Sequence, residues 1–282
     1  MTGVRLNGAP GPARTLDGRI AMVTGAGGGE GGGIGAGIAR CLGASGAIVA
    51  VNDLTDDAAQ RTIDNLAAMG VKAFAAVGDI GVPEVAHKMI TRIEEEVGAI
   101  DILVNNAGIV GRSSVMNTSD DEWSRVLRVN LDAPFMLCRA VLPYMRDRDY
   151  GRIINIASIA GTRTSYLGGI AYTASKSGLL GITRHMAAEV AQYGITVNAL
   201  LPGITMTPLV ESTTTDESIA AISSMVPSGR PGRPDDIGWA TAYLASEGAA
   251  YVNGTAIPVD GALTVLPGDF GGYRANSGKD VG

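Results

Sequence analysis

Short apolar runs rich in β-branched residues alternate along most of this chain with longer stretches of helical periodicity. Several of these runs are apolar on both faces, which is typical of parallel strands covered by helices on each side. This alternation predicts an α/β fold with a doubly wound parallel sheet of about seven strands. The predicted strands are 19–24, 47–52, 72–77, 101–106, 152–157, 195–200 and 255–260. The predicted helices are 34–44, 56–69, 83–97, 120–148, 171–192 and 234–246.

The chain shows no internal repeat, low-complexity linker or break in composition, so we expect a single domain over residues 17–265. Residues 1–16 lack the apolar centre of a signal peptide and are interpreted as an N-terminal extension. Residues 266–282 form a polar, glycine-rich C-terminal tail. No apolar stretch approaches the length that spans a bilayer, so no membrane partner is expected.

Composition excludes several classes of function. The formal net charge of -6 argues against a nucleic-acid partner, since phosphate binding requires a basic surface. Cys41 and Cys138 lie far apart within helical patterns and offer neither a disulfide framework nor a zinc site. His87 and His185 are too few to build a metal centre. We therefore expect a cytoplasmic protein that holds no metal ion.

Polar residues and glycines follow nearly every predicted strand. In open α/β sheets, ligands bind beyond the carboxyl ends of the strands. Turns favour Gly, Asn, Asp and Ser in any case, so each position alone would be ordinary turn chemistry. Their concentration at one edge of the sheet nevertheless indicates a ligand site. The positions are the glycine loop after the first strand, Asp53, Asp79, residues 105–108, Ser158 and residues 202–203.

The glycine loop runs from Thr24 to Gly35 and reads TGAGGGEGGGIG. Glycines after a first strand let backbone N–H groups approach a pyrophosphate, and the N-terminus of the following helix also favours that anion. The G-x-G-x-x-G template fits twice, so the motif alone is weak evidence. Its context, a strand before it and an amphipathic helix after it, indicates a Rossmann-type dinucleotide-binding turn. The two fits are Gly27/Gly29/Gly32 and Gly31/Gly33/Ala36.

Asp53 ends the second predicted strand, about 20 residues past the loop, where a carboxylate accepts hydrogen bonds from the adenosine ribose hydroxyls. The same carboxylate would repel a 2′-phosphate, and no Lys or Arg occurs between Arg19 and Arg40 to bind one. The sequence therefore predicts NAD (NADH) as cofactor, preferred over NADP. The competing interpretation is a plain surface turn at Asn52 and Asp53.

Tyr172 and Lys176 lie four residues apart in the stretch YTASK, on one face of a predicted helix. A lysine ammonium stabilises a phenolate, so such a pair exchanges a proton with an alcohol or a ketone. Only four of the 22 basic residues are lysines, and Lys176 lies in a largely apolar helix. Ser158 follows the fifth strand and is placed to donate to a substrate oxygen, although a helix or turn cap is the ordinary role of such a serine. His185 is out of phase with the pair and is interpreted as structural.

These features, with several further blocks in the same order, resemble the short-chain dehydrogenase/reductase family over about residues 17–265. The specificity of the match lies in the number of ordered blocks. They are TGAG…GIG, DI at 79–80, NNAG at 105–108, RVNLDAPF around Asn130, IINIAS at Ser158, YTASK, ITVNALLPG, and the closing GRPGRPDDIGWATAYLAS…VNGTAIPVDG.

The resemblance implies a catalytic set of four residues. Tyr172 would be the acid/base, and Lys176 would lower its pKa and hold the nicotinamide ribose. Ser158 would orient the carbonyl or hydroxyl of the substrate, and Asn130 would hold the water of a proton relay behind Lys176. Hydride would then move directly between nicotinamide and the substrate carbon.

The resemblance also implies a set of cofactor contacts that follow the carboxyl edge of the sheet from the pyrophosphate to the carboxamide. They are Gly25, Gly27, Gly33, Ile34, Gly35, Asp53, Leu54, Asp79, Ile80, Asn106, Ala107, Gly108, Tyr172, Lys176, Pro202, Gly203, Thr205 and Thr207.

The glycine loop departs from the family's usual turn, T-G-x-x-x-G-x-G. Counted from Thr24, the pattern's second and third glycines fall at Gly29 and Gly31 with Glu30 between them, yet the GIG stretch arrives only at 33–35, four residues later than in the usual turn. Three hypotheses follow: harmless slack, since glycine loops tolerate insertions, a flap that slows cofactor exchange, or a weakened cofactor site. In each, Glu30 must point away from the pyrophosphate.

The predicted function is an NAD-dependent oxidoreductase for a secondary alcohol/ketone pair, a small-molecule substrate that is moderately apolar or cyclic. Alternatives are a catalytically silent NAD-binding sensor or scaffold, a 3-oxoacyl or hydroxyacyl thioester reductase, and an epimerase or dehydratase on nucleotide sugars. The resemblance further implies a homotetramer, or a homodimer, built through 120–148, 171–192 and the C-terminal segment.

The stretch 204–229 is expected to form a substrate lid whose apolar residues either face the substrate or pack on the domain itself. Arg112 and Arg163 are available for a single anion, although no basic cluster marks the lid. The apolar residues in question are Met206, Leu209, Val210, Ile219, Ile222, Met225 and Val226, with Ile109, Val110, Tyr166 and Leu167 nearby.

Overall fold

Seven parallel strands form one sheet in the order β3-β2-β1-β4-β5-β6-β7. The computed structural model describes residues 15–28, 32–111, 113–164, 168–207 and 215–265. The order reverses between β1 and β4, which is the crevice where doubly wound sheets bind dinucleotides. The predicted Rossmann-type α/β fold is thereby confirmed. The strands are β1 Ile20–Val23, β2 Ile48–Val51, β3 Ala73–Ala75, β4 Ile100–Asn105, β5 Gly151–Ile156, β6 Ile195–Pro202 and β7 Ala256–Val259.

Helices cover both faces of the sheet. One apolar layer packs beneath α1 and α8, and a second beneath α3, α5 and α6, which explains why the central strands have no polar face. The helices are α1 Ile34–Ala44, α2 Asp56–Ala68, α3 Pro83–Glu96, α4 Asp120–Leu127, α5 Ala133–Asp147, α6 Ile170–Val190, α7 Asp216–Met225 and α8 Pro234–Ala245.

The single helix predicted over 120–148 is wrong, because the structure divides it into α4, a π-helical turn at Arg128–Asp132 and α5. Pro134 lies in the first turn of α5. It has no N–H, so the usual α-helical bond to the carbonyl of Asn130 cannot form. Helix α7 lies in the stretch expected to be a lid and was not predicted as a helix.

The two cysteines are core residues. Cys41 lies where α1 meets α8, and Gly238 makes room for it, since a Cβ added at Gly238 would lie 2.6 Å from the Cys41 Sγ. Burial raises the pKa of both the Cys41 and the Cys138 thiol to about 12, so neither is a thiolate at neutral pH. Within the described ranges, no cluster of three or more His, Cys, Asp or Glu side chains is arranged to hold a metal ion. Among the described helices, none is both long and apolar enough to cross a bilayer.

Candidate active site

The glycine loop links β1 to α1 with almost no room for side chains. Gly25 has a φ of +60°, and a Cβ added there would lie 2.9 Å from the Cα of Ala107. A Cβ added at Gly35 would lie 2.5 Å from Asn106 Nδ2 and would contact the Gly25 carbonyl. Gly33, the N-cap of α1, has no described atom within 4 Å of such a Cβ, and α1 carries neither a side-chain cap nor an acidic first turn. Among the described residues, none fills the space at this helix N-terminus, which is a favourable place for an anion.

The expanded part of the loop is closed at its base. Gly28 has a φ of +32°, and a Cβ added there would lie 2.5 Å from the Gly33 nitrogen. Gly28 and Gly33, on the two sides of the expansion, therefore lie next to each other. Glu30, with its neighbours Gly29 and Gly31, lies outside the described residues. Its orientation, and the choice between slack, flap and weakened site, stay predictions.

Asp53 lies at the end of β2 beside this loop. Its Oδ2 accepts a hydrogen bond from the Gly27 N–H at 3.0 Å, and its Oδ1 accepts one from the Leu54 N–H at 2.8 Å. The second bond is ordinary turn chemistry, whereas the first ties the carboxylate to the glycine loop. The Leu54 side chain is 65% exposed next to it.

Asp79 and Ile80 follow β3 but differ in exposure. Asp79 is exposed, and its Oδ1 accepts a hydrogen bond from the Gly81 N–H at 2.8 Å. Ile80 is buried among core residues, so only its backbone is available to an adenine.

Asn106 joins the end of β4 to the glycine loop. Its Nδ2 donates to the carbonyls of Thr24 at 2.8 Å and Gly25 at 3.1 Å. The Thr24 hydroxyl in turn accepts from the backbone N–H groups of Asn106 and Ala107, both at 3.0 Å. Both amide hydrogens of Asn106 are therefore committed to the protein. Thr24 received no role in the sequence analysis, although it opens the glycine motif.

Tyr172 and Lys176 lie on one face of α6 as predicted. The Lys176 Nζ lies 5.7 Å from the Tyr172 ring centroid and donates to the Ile156 carbonyl at 2.8 Å. Lys176 is only 4% exposed, and burial lowers its pKa to about 8. The pKa of the Tyr172 hydroxyl is raised, because the effect of burial is larger than the opposite effect of its hydrogen bond with Ser158. The structure therefore brings Ser158, Tyr172 and Lys176 together.

Asn130 lies in the π-helical turn and is fully buried. Its Oδ1 accepts from the Ile109 N–H at 2.8 Å, and its Nδ2 donates to the Ile109 carbonyl at 2.9 Å. A Cβ added at Gly108 would lie 3.4 Å from both Asn130 Oδ1 and Lys176 Nζ, so Asn130 borders the lysine. The Asn130 side chain therefore fixes the backbone of Ile109, which follows β4. The Asn130 carbonyl has no α-helical donor, because Pro134 lacks an N–H.

Ser158 and Ser175 complete the hydroxyl groups around Tyr172. The Ser158 Oγ accepts from the Ala160 N–H at 3.1 Å, so it does cap a short 3-10 turn, and its own hydrogen stays available to Tyr172 or a substrate. The Ser175 hydroxyl donates to the Tyr172 carbonyl at 2.7 Å and accepts from Asn130 Nδ2 at 3.1 Å. Ser175, the serine of YTASK, was not among the predicted site residues.

Pro202 ends β6, and the residues after it form the expected carboxamide end of the site. The Gly203 N–H donates to the Val259 carbonyl at 3.0 Å, and a Cβ added at Gly203 would lie 2.7 Å from the Asp260 Cβ. Thr205 forms a single parallel bridge with Gly232, and its hydroxyl donates to the Gly203 carbonyl at 3.3 Å. Thr207 is the last described residue before the gap at 208–214.

The described apolar residues of the stretch expected to form a lid divide between the two interpretations. Met206 and Val226 are buried, as expected if they pack on the domain, whereas Met225 is exposed. Arg163 is exposed, and its Nη1 donates to the Leu263 carbonyl at 3.4 Å. Ile219, Ile222 and Ile109 are half-buried, and Val110 is exposed. Leu209, Val210, Tyr166, Leu167 and Arg112 lie outside the described residues.

Comparison with known proteins gives consistent matches over nearly the whole chain. A family model described as Enoyl-(Acyl carrier protein) reductase matches residues 28–264. Nodulation protein G of Azospirillum brasilense is 40% identical over 246 residues, which cover 87% of this chain and 98% of that protein. The 3-oxoacyl-[acyl-carrier-protein] reductase FabG of Escherichia coli is 40% identical over 252 residues, covering 89% of this chain and 99% of FabG.

Solved structures agree on the fold and differ in the substrate that they name. A gluconate 5-dehydrogenase from Burkholderia cenocepacia, in complex with NADP and tartrate, superimposes with a TM-score of 0.83. It is 35% identical, and the match covers 91% of this chain and 99% of that chain. The relatives therefore include reductases of acyl thioesters and a sugar-acid dehydrogenase on one scaffold.

Proposed function

This chain belongs to the short-chain dehydrogenase/reductase family, a family of oxidoreductases, and we propose that it transfers hydride between NAD(H) and a secondary alcohol/ketone pair. The observation that carries this proposal is the arrangement of Ser158, Tyr172 and Lys176. A buried ammonium lies behind a tyrosine whose hydroxyl meets a serine. That arrangement is suited to moving one proton to or from a substrate oxygen.

In the reducing direction, Tyr172 gives its hydroxyl proton to the carbonyl oxygen, and in the oxidising direction it takes the proton of the alcohol. Ser158 donates a hydrogen bond to the same oxygen and holds it near the tyrosine. Lys176 stabilises the phenolate that forms when Tyr172 gives up its proton. The Lys176 ammonium then returns a proton to Tyr172. A bound nicotinamide supplies or accepts the hydride. The carbonyl of Asn130, which lacks its helical donor, holds a water behind Lys176 in this scheme.

The preference for NAD rests on the Asp53 carboxylate. It lies at the end of β2 beside Gly27, where a 2′-phosphate would meet a negative charge. The B. cenocepacia relative was solved in complex with NADP, so the proposed preference for NAD rests on Asp53 alone and not on the comparisons.

Two alternative functions are kept because specific observations favour them. Reduction of a 3-oxoacyl thioester is favoured by the 40% identity to the E. coli acyl-carrier-protein reductase. Oxidation of a hydroxy acid is favoured by the likeness to the gluconate 5-dehydrogenase. An apolar or cyclic alcohol is supported by two exposed apolar side chains, Met225 in the stretch expected to form a lid and Val110 next to Ile109, whose backbone Asn130 binds. A silent NAD-binding sensor is disfavoured because all four residues of the catalytic set are present.

We also propose a homotetramer, or a homodimer, in a reducing compartment such as the cytoplasm. Phe135 on α5 and Trp239 on α8 are large apolar side chains that are 41% and 45% exposed, which fits surfaces covered by further copies. Cys41 and Cys138 are both free thiols, as expected in a reducing compartment. Light scattering on the purified protein tests the assembly.

The deciding experiment is absorbance at 340 nm with NAD or NADP and a panel of substrates, using Tyr172→Phe as the matched control. The panel holds secondary and cyclic alcohols, a hydroxyacyl thioester and a sugar acid. We expect turnover with NAD that falls at least about 1,000-fold in the variant, which keeps the ring and removes only the proton donor. Tight NAD binding without turnover of any substrate would support the sensor, and a preference for NADP would refute the interpretation of Asp53.

A further inference from the structure

We propose that Glu122 is a positioning residue, which fixes the post-β4 loop (residues 109–113) against the start of α6 and so sets the place of Tyr172. The inference rests on the oxidoreductase activity proposed above. Neither the catalytic set nor the family resemblance assigned a role to this glutamate. The structure describes every residue of the loop except position 112.

Glu122 and Ser119 form one half of a capping box at the start of α4. Ser119 is the N-cap of α4, and its hydroxyl accepts from the Glu122 N–H at 3.1 Å. In a complete capping box the glutamate side chain would return to the N-cap backbone. Arg233 and Asp236 show the return bond at the start of α8, at 2.7 Å. The described hydrogen bonds of the Glu122 carboxylate go to Ser113 in the post-β4 loop instead.

The contact between Glu122 and the loop is short and made with both carboxylate oxygens. The Ser113 hydroxyl donates to Oε2 at 2.6 Å, and the Ser113 N–H donates more weakly to Oε1 at 3.4 Å. Gly111 lies directly on the carboxylate, since a Cβ added there would contact Oε1. A charge-assisted bond of this length is stronger than a neutral one, so the carboxylate holds this end of the loop firmly.

The same part of the loop touches the N-terminus of the catalytic helix. The Gly111 carbonyl accepts from the N–H of Gly169, the N-cap of α6, three residues before Tyr172. A Cβ added at Gly169 would lie 2.8 Å from the carbonyl oxygens of both Gly111 and Ser113. Gly169 supplies no side-chain cap of its own, and the Gly111 carbonyl gives this end of α6 a backbone contact.

The loop is therefore held at both ends from one stretch of chain. Asn130 brackets Ile109 at the start of the loop, and Glu122, eight residues earlier on α4, holds Ser113 at its end. Without Glu122 the first anchor remains, but the Gly111 carbonyl loses its support and its contact with Gly169 loosens. Because a displacement of about 1 Å at reacting groups costs about 100-fold in rate, a small shift of Tyr172 is sufficient to slow turnover.

The test compares Glu122→Ala and Glu122→Gln with Asp121→Ala as the matched control. Asp121 is an exposed acid in the same first turn of α4, so its removal alters the charge and the helix dipole equally without touching the loop. The glutamine keeps a carbonyl oxygen for the Ser113 N–H and an amide for its hydroxyl. Steady-state kinetics with NAD and hydrogen exchange of peptides covering 109–114 and 168–172 are measured on the full chain.

We expect Glu122→Ala to lower kcat by about 10- to 100-fold while the KM for NAD changes by less than about twofold. Hydrogen exchange should become faster in both peptides, Glu122→Gln should restore kcat to within about threefold, and Asp121→Ala should match the wild type. The proposal would be overturned if hydrogen exchange in both peptides of Glu122→Ala equalled that of the wild type. It would also be overturned by a loss in kcat that Glu122→Gln does not rescue. If the wild type turns over no substrate, the proposed function has failed, and exchange alone decides the positioning role.

Discussion

Replacing Lys176 by methionine should stabilise the protein at neutral pH while it abolishes turnover. The lysine is 4% exposed, burial alone accounts for the lowering of its pKa, and no described carboxylate lies within ion-pair distance of its Nζ. Methionine has a similar length and an apolar character suited to the same cavity. The substitution therefore removes a buried charge at little cost in packing.

The magnitude follows from the pKa of the lysine. The difference between its ordinary value of 10.5 and about 8 in the fold corresponds to about 3 kcal/mol. The unfolded chain binds this proton more tightly, so the whole cost is present below about pH 8, shrinks as the pH rises to 10.5, and is absent above it. Loss of the bond from Nζ to the Ile156 carbonyl offsets about 1 kcal/mol. The net gain is about 2 kcal/mol at pH 7.

Urea unfolding at pH 7 and pH 10, at one protein concentration without cofactor, measures this gain through the fluorescence of Trp123 and Trp239. We expect the variant to be more stable than the wild type at pH 7, and the advantage to disappear at pH 10. Lys88→Met, at an exposed position on α3, is the control and should show no pH-dependent difference. A Lys176→Met protein that is less stable at both pH values would refute the reasoning.

Two further predictions concern the cofactor end of the site. Gly35→Ala should lower stability by about 1 to 3 kcal/mol and weaken NAD binding by at least tenfold, because its Cβ would meet Gly25 and Asn106, whereas Gly33→Ala should change stability by less than about 1 kcal/mol. Calorimetric titration with NAD and thermal unfolding check both, and equal behaviour of the two variants would contradict the steric argument. Asp53→Asn keeps an acceptor for the Gly27 N–H but removes the charge, so the ratio of kcat/KM for NADP to that for NAD should rise about tenfold. An unchanged ratio would show that the carboxylate does not select the cofactor.

The sequence predicted the structure best where a single physical requirement determines the local pattern of residues. Strands covered by helices are rich in apolar residues even where they hold a few buried polar side chains, and all seven strands lie where this pattern predicts them. The first helix, α1, spans residues 34–44 as predicted. The spacing of Tyr172 and Lys176 needed only helical geometry. These features depend on local pattern, and a single sequence contains that pattern in full.

Contacts between distant segments could not be predicted in the same way. The π-helical turn at Asn130 had one local signal, Pro134 four residues later, and helical periodicity on both sides concealed it. The bond from Ser113 to Glu122 had a misleading signal, since Ser119 and Glu122 have the spacing of a complete capping box. In the second case tertiary packing decided which of two locally reasonable partners the Glu122 carboxylate took.

The polar residues of the site divide into those that hold the backbone and those left free to react. Asn106 donates both amide hydrogens to the glycine loop, and Asn130 uses its amide on Ile109 and Ser175. The predicted contribution of these two residues to the cofactor site must therefore come through the shape of the backbone that they fix. Asp53 accepts from two backbone N–H groups, but its carboxylate oxygens keep further lone pairs for the ribose hydroxyls. The reactive hydrogens belong to Ser158, Tyr172 and Lys176. Because the buried Lys176 lowers the stability of the fold, its presence is best explained by its role in the chemistry. The rigid surroundings hold the reactive groups in one geometry.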